Sequence, residues 1–211
     1  MYFVYSVVPS PLSRQAGEIP QSSSPLASPP PFVHPQPQPN PGKAMKKPAI
    51  ALLVLSAALL VGLGINDHQQ LPERIASHFD WSGTANGWMN RTTFTATMLA
   101  VGLGIPALVI AAMHALRFIP AEYLNVPNPG YWRAPANHRK ACDILAASSL
   151  WFGSAFLIWQ AFFTHMIVAA NRATPPALDS GKAILLTLPL LAFILGWITV
   201  LITRFHRIPT P

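Results

Sequence analysis

Four long apolar runs constrain most strongly what this chain can fold into. They cover residues 48–65, 93–118, 144–170 and 183–205. A helix crosses a membrane with about 20 apolar residues, because each residue rises about 1.5 Å and the hydrocarbon layer is about 30 Å thick. Only 10% of the residues are charged, and the mean hydropathy is +0.36. The sequence therefore predicts an all-α integral membrane protein with a four-helix transmembrane bundle and a small ordered extracytoplasmic loop.

The segment before the first run is rich in proline. Residues 1–44 hold 11 of the 23 prolines, and proline lacks the backbone donor that helices and central strands need. We predict a disordered tail here, in preference to a ligand for a proline-binding module. An alternative is that translation begins natively at Met45, before two lysines. In either case, residues 45–205 form the membrane domain and residues 206–211 form a short tail. The first run is predicted to be an uncleaved span rather than a signal peptide.

Basic residues are distributed unequally between the two ends of the predicted spans. Nine flank one side, and four flank the other. The nine are Lys43, Lys46, Lys47, Arg117, Arg133, Arg139, Lys140, Arg204 and Arg207, and the four are Arg74, Arg91, Arg172 and Lys182. Because cytoplasmic loops carry the excess of Lys and Arg, both termini are predicted to be cytoplasmic, in a bacterial cytoplasmic membrane. Residues 71–88 then face outward.

Residues 71–88 form the most distinctive polar segment. The spacing of Leu71, Ile75 and Phe79 fits a helix, whereas the alternation of Ile75, Ser77 and Phe79 fits a strand, so both remain open. Two glycines mark turns, and Trp81 and Trp88 suit a membrane–water boundary. The candidate functional residues of this loop are Leu71, Pro72, Ile75, His78, Phe79, Gly83, Gly87 and Trp88.

His78 stands among polar neighbours and invites two interpretations. With Asp67, His68, Glu73 and Asp80 nearby, it could join a metal site or sense pH. No metal-binding spacing such as HExxH is present, however. We therefore favour a histidine that hydrogen-bonds within the loop and helps fix its turns.

The third run carries a polar face. Gln160, Thr164 and His165 are the candidate intramembrane polar residues, and Ser149 and Gly153 share the face of the first two. A substrate or proton path is one interpretation, and hydrogen bonding between helices is the other. We favour the second, because no Asp, Glu, Lys or Arg lies deep in a predicted span.

Small residues four apart occur in every run and predict close helix packing. These sets are Ala58 and Gly62; Ala96, Ala100 and Gly104; Ser149 and Gly153; and Ala192 and Gly196.

The connection between the second and third runs contains a turn motif of polar and aromatic residues. Its candidate residues are Asn125, Pro127, Asn128, Tyr131 and Trp132. The prolines predict tight turns, and the two aromatic residues are predicted to anchor at the inner membrane interface. Pro135 can then open a basic helical turn with His138, Arg139 and Lys140, which would suit anionic lipid headgroups better than a partner protein.

No motif of a common enzyme is present. The chain lacks a nucleophile elbow, a P-loop, a dinucleotide fingerprint and a zinc motif, and Cys142 is its one cysteine. We predict no catalytic residues, no metal, no cofactor and no nucleic-acid partner. The expected partners are the lipid bilayer and a peptide or envelope protein, and the oligomeric state stays open.

Residues 71–88 match the pattern LPxxIxxHFxxxGxxxGW after a first span. In this respect the chain resembles a family of small bacterial membrane proteins that carry a domain of unknown function. The segment NVPNxxYW, residues 125–132, resembles one subgroup, while Ala76 and Asn86 depart from the proline and acidic residue of many relatives. The same domain occurs in the immunity proteins that protect bacteria from the sporulation-delaying killing factor. The resemblance implies a role in toxin immunity or envelope signalling.

Two functions follow as hypotheses. The first is a non-enzymatic membrane protein whose outer loop binds a peptide, a toxin or an envelope partner. The alternative is a small transporter or channel-like subunit that uses the polar face of the third span.

Overall fold

A computed structural model describes the backbone of residues 41–208 and the side chains of residues 46–208. Its elements, in chain order, are α1 (Pro41–Gln70), β1 (Arg74–Phe79), β2 (Ala85–Asn90), α2 (Arg91–Ala115), α3 (Pro129–Trp132), α4 (Pro135–Ala170) and α5 (Ser180–His206). Two short 3-10 turns, Leu116–Phe118 and Ala121–Tyr123, follow α2. The four long helices α1, α2, α4 and α5 are each long and apolar enough to cross a membrane. They confirm the predicted all-α class and indicate a multi-pass membrane protein.

The long helices continue past the apolar runs that predict them. α1 reaches Gln70, whereas the first run ends at Ile65, and α4 begins at Pro135, before the third run. Hydropathy marks the part of a helix that suits lipid, while backbone hydrogen bonding continues into polar residues at its ends. Residues 1–40 of the tail predicted over residues 1–44, and the last three residues of the chain, lie outside the described part. Residues 41–44 already belong to α1, which begins at Pro41.

α4 is the central helix of the bundle. In its apolar window 61% of the residues are buried, compared with 22% in α1, 11% in α2 and 6% in α5. α1, α2 and α5 each pack against it. Small buried residues, including Ala147, Ser149 and Ser154, let these neighbours approach. Small residues thus support the central position of α4 at some contacts, while larger side chains such as Leu150 and Leu157 are buried at others.

Close packing at small residues occurs at fewer places than predicted. A Cβ on Gly62, Gly104 or Gly196 would meet nothing within 4 Å, so the prediction is wrong for the glycines of these three sets. Gly153 confirms it, since a Cβ there would lie 3.0 Å from Leu53. Gly102 is a close contact that the pattern missed, because its Cβ would lie 2.6 Å from Leu60.

α5 attaches to α4 through aromatic side chains. The ring of Trp197 lies 5.5 Å from that of Phe152, and its Nε1 donates to the carbonyl of Ser148 at 3.1 Å. The remaining surface of α5 is mostly exposed and apolar. Such a surface suits contact with lipid chains.

Residues 71–90 form an ordered hairpin, and the open choice between helix and strand is resolved as strand. β1 and β2 pair antiparallel, with Ile75 opposite Met89 and Ala76 opposite Trp88. Ile75 and Met89 turn inward onto a core cluster that includes Phe94. Asn90 then caps α2, because its side chain accepts from the Thr93 N–H at 2.7 Å.

Candidate functional site at the hairpin end

The hairpin lies at one end of the bundle, together with the C-terminal end of α1, the first turn of α2 and the α4–α5 loop (residues 171–179). We call this the hairpin end. The turn of the hairpin is fixed by Asp80, whose Oδ1 accepts from the Ser82 N–H at 2.9 Å, the Ser82 hydroxyl at 2.6 Å and the Thr84 N–H at 2.9 Å. The Ser82 hydroxyl bond, followed by the Thr84 N–H bond, holds the pKa of the Asp80 carboxyl below its usual value. The turn is therefore held by a charged acceptor at neutral pH.

Gly83 joins the hairpin turn to the α4–α5 loop. Its φ is +83°, and a Cβ there would lie 1.9 Å from the carbonyl oxygen of Leu178. The Gly83 carbonyl accepts from the Leu178 N–H at 2.9 Å. A side chain would thus be strained and would collide with backbone, so only glycine fits this docked turn.

Asn171, at the C-terminal end of α4, clamps the middle of β1. Its Oδ1 accepts from the Ala76 N–H at 2.7 Å, and its Nδ2 donates to the Ala76 carbonyl at 2.8 Å. The amide takes the place of a neighbouring strand, because it satisfies both backbone groups of one residue. The hairpin is consequently bound to α4 by directed hydrogen bonds as well as by its apolar face.

His78 lies across the hairpin from Gly87. A Cβ on Gly87 would come within 2.9 Å of the His78 Cβ and 3.0 Å of its Nδ1. The same Nδ1 lies 3.0 Å from the Ser77 hydroxyl. His78 thus makes contacts inside the hairpin, and Gly87 gives its ring room.

The outer surface of the hairpin carries two tryptophans. The side chain of Trp81 is 93% exposed at the turn, and that of Trp88 is 45% exposed on β2. The Arg74 guanidinium stands 5.9 Å from the centroid of the Trp88 ring, within range of a cation–π interaction. Pro72 is also exposed, whereas Leu71 is buried and Phe79 packs beside it.

Beneath the hairpin, a buried carboxylate links α1 to α4. Asp67 is 2% exposed, and both of its oxygens lie 2.9 Å from Nδ1 of His165. Next to it, His68 Nδ1 lies 2.9 Å from the Thr95 hydroxyl on α2. The predicted interhelical hydrogen bond of His165 is therefore present. Its partner is the Asp67 carboxylate, which follows the apolar run that ends at residue 65 and was therefore not predicted to belong to the first span.

Gln160 and Thr164 lie deeper in the bundle and are both buried. Nε2 of Gln160 lies 3.5 Å from the Thr164 hydroxyl and 3.5 Å from Sδ of Met98 on α2. A cavity whose lining includes Thr164 and Met98 has a volume of about 10 Å³, room for a single water at most. The polar face of α4 is thus packed against its neighbours.

Over residues 46–208, the acidic, histidine and cysteine side chains form no cluster of three that could hold a metal ion. Two of the residues suggested for a metal site with His78 form hydrogen bonds with other partners instead. Asp67 pairs with His165, and Asp80 holds its own turn.

The turn motif of residues 125–132 lies at the opposite end of the bundle and binds the end of α5. Asn128 adopts a left-handed conformation with φ of 53°, and its Nδ2 donates to the His206 carbonyl at 2.8 Å. Trp132 Nε1 donates to the Phe205 carbonyl at 2.8 Å, and its ring meets that of Phe205 edge-on at 5.1 Å. Trp132 is only 3% exposed, so its predicted role as an interface anchor is wrong. Tyr131 packs edge-on against it, while Asn125 is exposed and Pro127 half-buried.

Sequence reasoning did not predict the contacts of two residues that organise the hairpin end. It placed Asp67 near His78 and not with His165, and it did not consider Asn171. A signal for Asp67 was available, because Leu60, Gly64, Asp67 and Leu71 continue one helical face past the last apolar residue. Asn171 had no comparable signal, since a polar residue just after a span is ordinary.

The family model of a domain of unknown function, DUF1648, matches residues 50–103. The match runs from α1 through the whole hairpin into α2, so the chain is similar to that domain over the segment that contains the candidate loop. A search of curated proteins finds no match, and neither does a search of solved structures.

Proposed function

We propose that this protein is a non-enzymatic receptor of a bacterial cell membrane, whose hairpin binds an extracytoplasmic peptide or envelope protein. The observation that carries the proposal is the pairing of a rigid support with an exposed aromatic surface. Trp81 and Trp88 are exposed on a hairpin that Asn171, Gly83 and the buried core hold in place. Tryptophan and arginine dominate binding energy at protein interfaces, and a preorganised surface loses little entropy on binding.

The immediate surroundings of the hairpin add an apolar groove. It has a volume of about 360 Å³, lies between α1 and α2, and includes Ile65, Thr92 and Leu99. A peptide with apolar and polar portions can place the former in this groove and the latter against Arg74 and the tryptophans. This chemistry favours a membrane-active peptide, in keeping with the toxin-immunity role that the family resemblance implies.

The interior of the bundle supports binding at the hairpin over passage of a solute. Gln160 and Thr164 are buried against neighbouring side chains, and the cavity near them has a volume of only about 10 Å³. A transporter requires a hydrated path or a site of substrate size near the middle of the membrane.

The test compares binding and protection in matched variants. Cells that express the chain are challenged with membrane-active peptides, and binding of a labelled active peptide is measured on purified protein in lipid nanodiscs. Trp88→Ala and Trp81→Ala are expected to weaken binding by about tenfold or more, because a central aromatic contact contributes about 2 kcal/mol. Tyr123→Ala is the control, since Tyr123 is an aromatic residue that is 68% exposed at the opposite end.

Equal sensitivity of cells with and without the protein, across the peptides tried, would contradict the proposal. Loss of binding in the Tyr123 variant to the same extent would show that general contact of exposed aromatic residues, and not the hairpin, is responsible.

A further inference from the structure

A cleft of about 300 Å³ opens at the end of the bundle opposite the hairpin. It separates the C-terminal end of the α2 segment from the first turns of α4. Its lining residues are Arg117, Phe118, His138, Arg139, Cys142 and Asp143. The hairpin binding proposed above does not use this cleft.

The cleft carries a net positive charge. Arg117 and Arg139 line it, and its one lining carboxylate, Asp143, pairs with Lys46 at 2.8 Å. The Asp143 side chain is 14% exposed, so that ion pair is largely shielded from water. With two arginines against one carboxylate, the lining keeps a net positive charge, which attracts an anion.

Arg117 is oriented by its own helix. Its Nε donates to the carbonyl of His114 at 2.9 Å, which restrains the plane of the guanidinium. The two terminal nitrogens lie outside that bond, and a planar pair of this kind binds two phosphate oxygens at once. Across the cleft, His138 is half-buried, with Nε2 3.7 Å from Sγ of Cys142. The site is thus a pocket with a shaped wall rather than a flat basic surface.

The cleft lies at the level of lipid headgroups. The candidate span Arg91–Phe118 has 28 residues, which at about 1.5 Å each extend about 42 Å and exceed the hydrocarbon thickness of about 30 Å. Arg117 is next to the last residue of this span, so its charge is at headgroup depth. Phe118 follows, 83% exposed, and offers an apolar contact for the glycerol and upper acyl region of a lipid.

We propose that this cleft binds the phosphate headgroup of an anionic phospholipid, with Arg117 and Arg139 as the phosphate ligands. The net charge favours an anionic over a zwitterionic headgroup. The exposed Phe118 beside the arginines favours a lipid over a free phosphate, which has no apolar portion.

The experiment is native mass spectrometry of the full-length protein, purified in detergent and supplied with phosphatidylglycerol or phosphatidylcholine. Arg117→Gln is expected to lower the bound phosphatidylglycerol by about tenfold, the effect of one lost bidentate contact. Arg139→Gln should also lower the bound phosphatidylglycerol. The amount bound by Arg117→Lys should lie between those of the unaltered protein and Arg117→Gln, because lysine keeps the charge but lacks the paired guanidinium nitrogens. Arg207→Gln is the matched control, because it removes the same charge from an exposed residue outside the cleft lining.

Equal retention of the two lipids by the unaltered protein would overturn the proposal, and so would an equal loss in the Arg207 and Arg117 variants. Displacement of phosphatidylglycerol by millimolar glycerol phosphate would assign the cleft to soluble phosphates instead. Unchanged thermal unfolding of the Arg117 variant is expected, because its side chain is exposed.

Discussion

Asp67 shows how one residue can connect two helices and the hairpin above them. Its carboxylate is buried, three residues before the end of α1, and His165 of α4 is its hydrogen-bond partner. Taking a carboxylate out of water costs several kcal/mol unless a partner and hydrogen bonds compensate it. The side chain of His165 is itself 40% exposed, whereas the acid that it contacts is buried. The pair therefore supports the base on which the hairpin packs.

We predict that His165→Ala lowers the free energy of unfolding by about 1–3 kcal/mol, because it leaves the Asp67 carboxylate buried without its partner. Thermal unfolding in detergent measures the effect. His206→Ala, an exposed histidine at the other end of the bundle, should change it little. Addition of Asp67→Asn to His165→Ala removes the stranded charge and should restore part of the loss. A double variant less stable than His165→Ala alone would contradict this account.

At the scale of the elements, α4 decides how close the other helices come. α1 and α2 approach it where a side chain is absent, at Gly153 of α4 and Gly102 of α2. Gly104, only two residues from Gly102, faces open space. Because successive residues of a helix point about 100° apart, a pattern of small residues predicts close packing only on the face that meets a neighbour. Because the sequence does not show which face meets a neighbour, spacing alone could not predict that Gly102 packs closely and Gly104 does not.

We predict that Gly102→Ala destabilises the bundle, whereas Gly104→Ala is neutral or slightly stabilising. A Cβ at Gly102 would lie 2.6 Å from Leu60 and 2.9 Å from Gln160, and an overpacked interior costs about 1–3 kcal/mol. The Gly104 variant gains about 1 kcal/mol of helix propensity in water, less in a membrane. Thermal unfolding of the two variants side by side is the measurement. Equal melting temperatures would show that the Gly102 contact does not limit the packing of α1, α2 and α4.

For the whole molecule, four long helices return the chain to the side on which it entered. The hairpin and the α4–α5 loop then share one side of the bundle, and the turn motif at residues 125–132 lies with the end of α5 on the other. The excess of basic residues lies on the second side, as it does for cytoplasmic loops. The hairpin is therefore expected to be extracytoplasmic.

We predict that reporters fused at the N-terminus and at the C-terminus are both active only in the cytoplasm, because an even number of spans and the charge bias agree. A reporter inserted after Ser82, in the exposed turn, should be active only outside. Reporters at the two termini that indicate opposite faces would contradict a four-span topology. Extraction of the protein by an alkaline carbonate wash would contradict membrane insertion itself.

The residues alone determined the class of fold and the place of the candidate loop, since long apolar runs and turn-forming glycines act locally, through transfer free energy and backbone freedom. The sequence left the conformation of residues 74–79 open, because the spacing of their apolar residues fits both a helix and a strand. The packing of the hairpin on the bundle decides between the two. The pairing of Asp67 with His165, the clamp of Asn171 on β1 and the burial of Trp132 were decided only by the tertiary structure. Each joins residues more than 70 positions apart in the chain, and such contacts depend on which helix faces meet, which no local pattern contains.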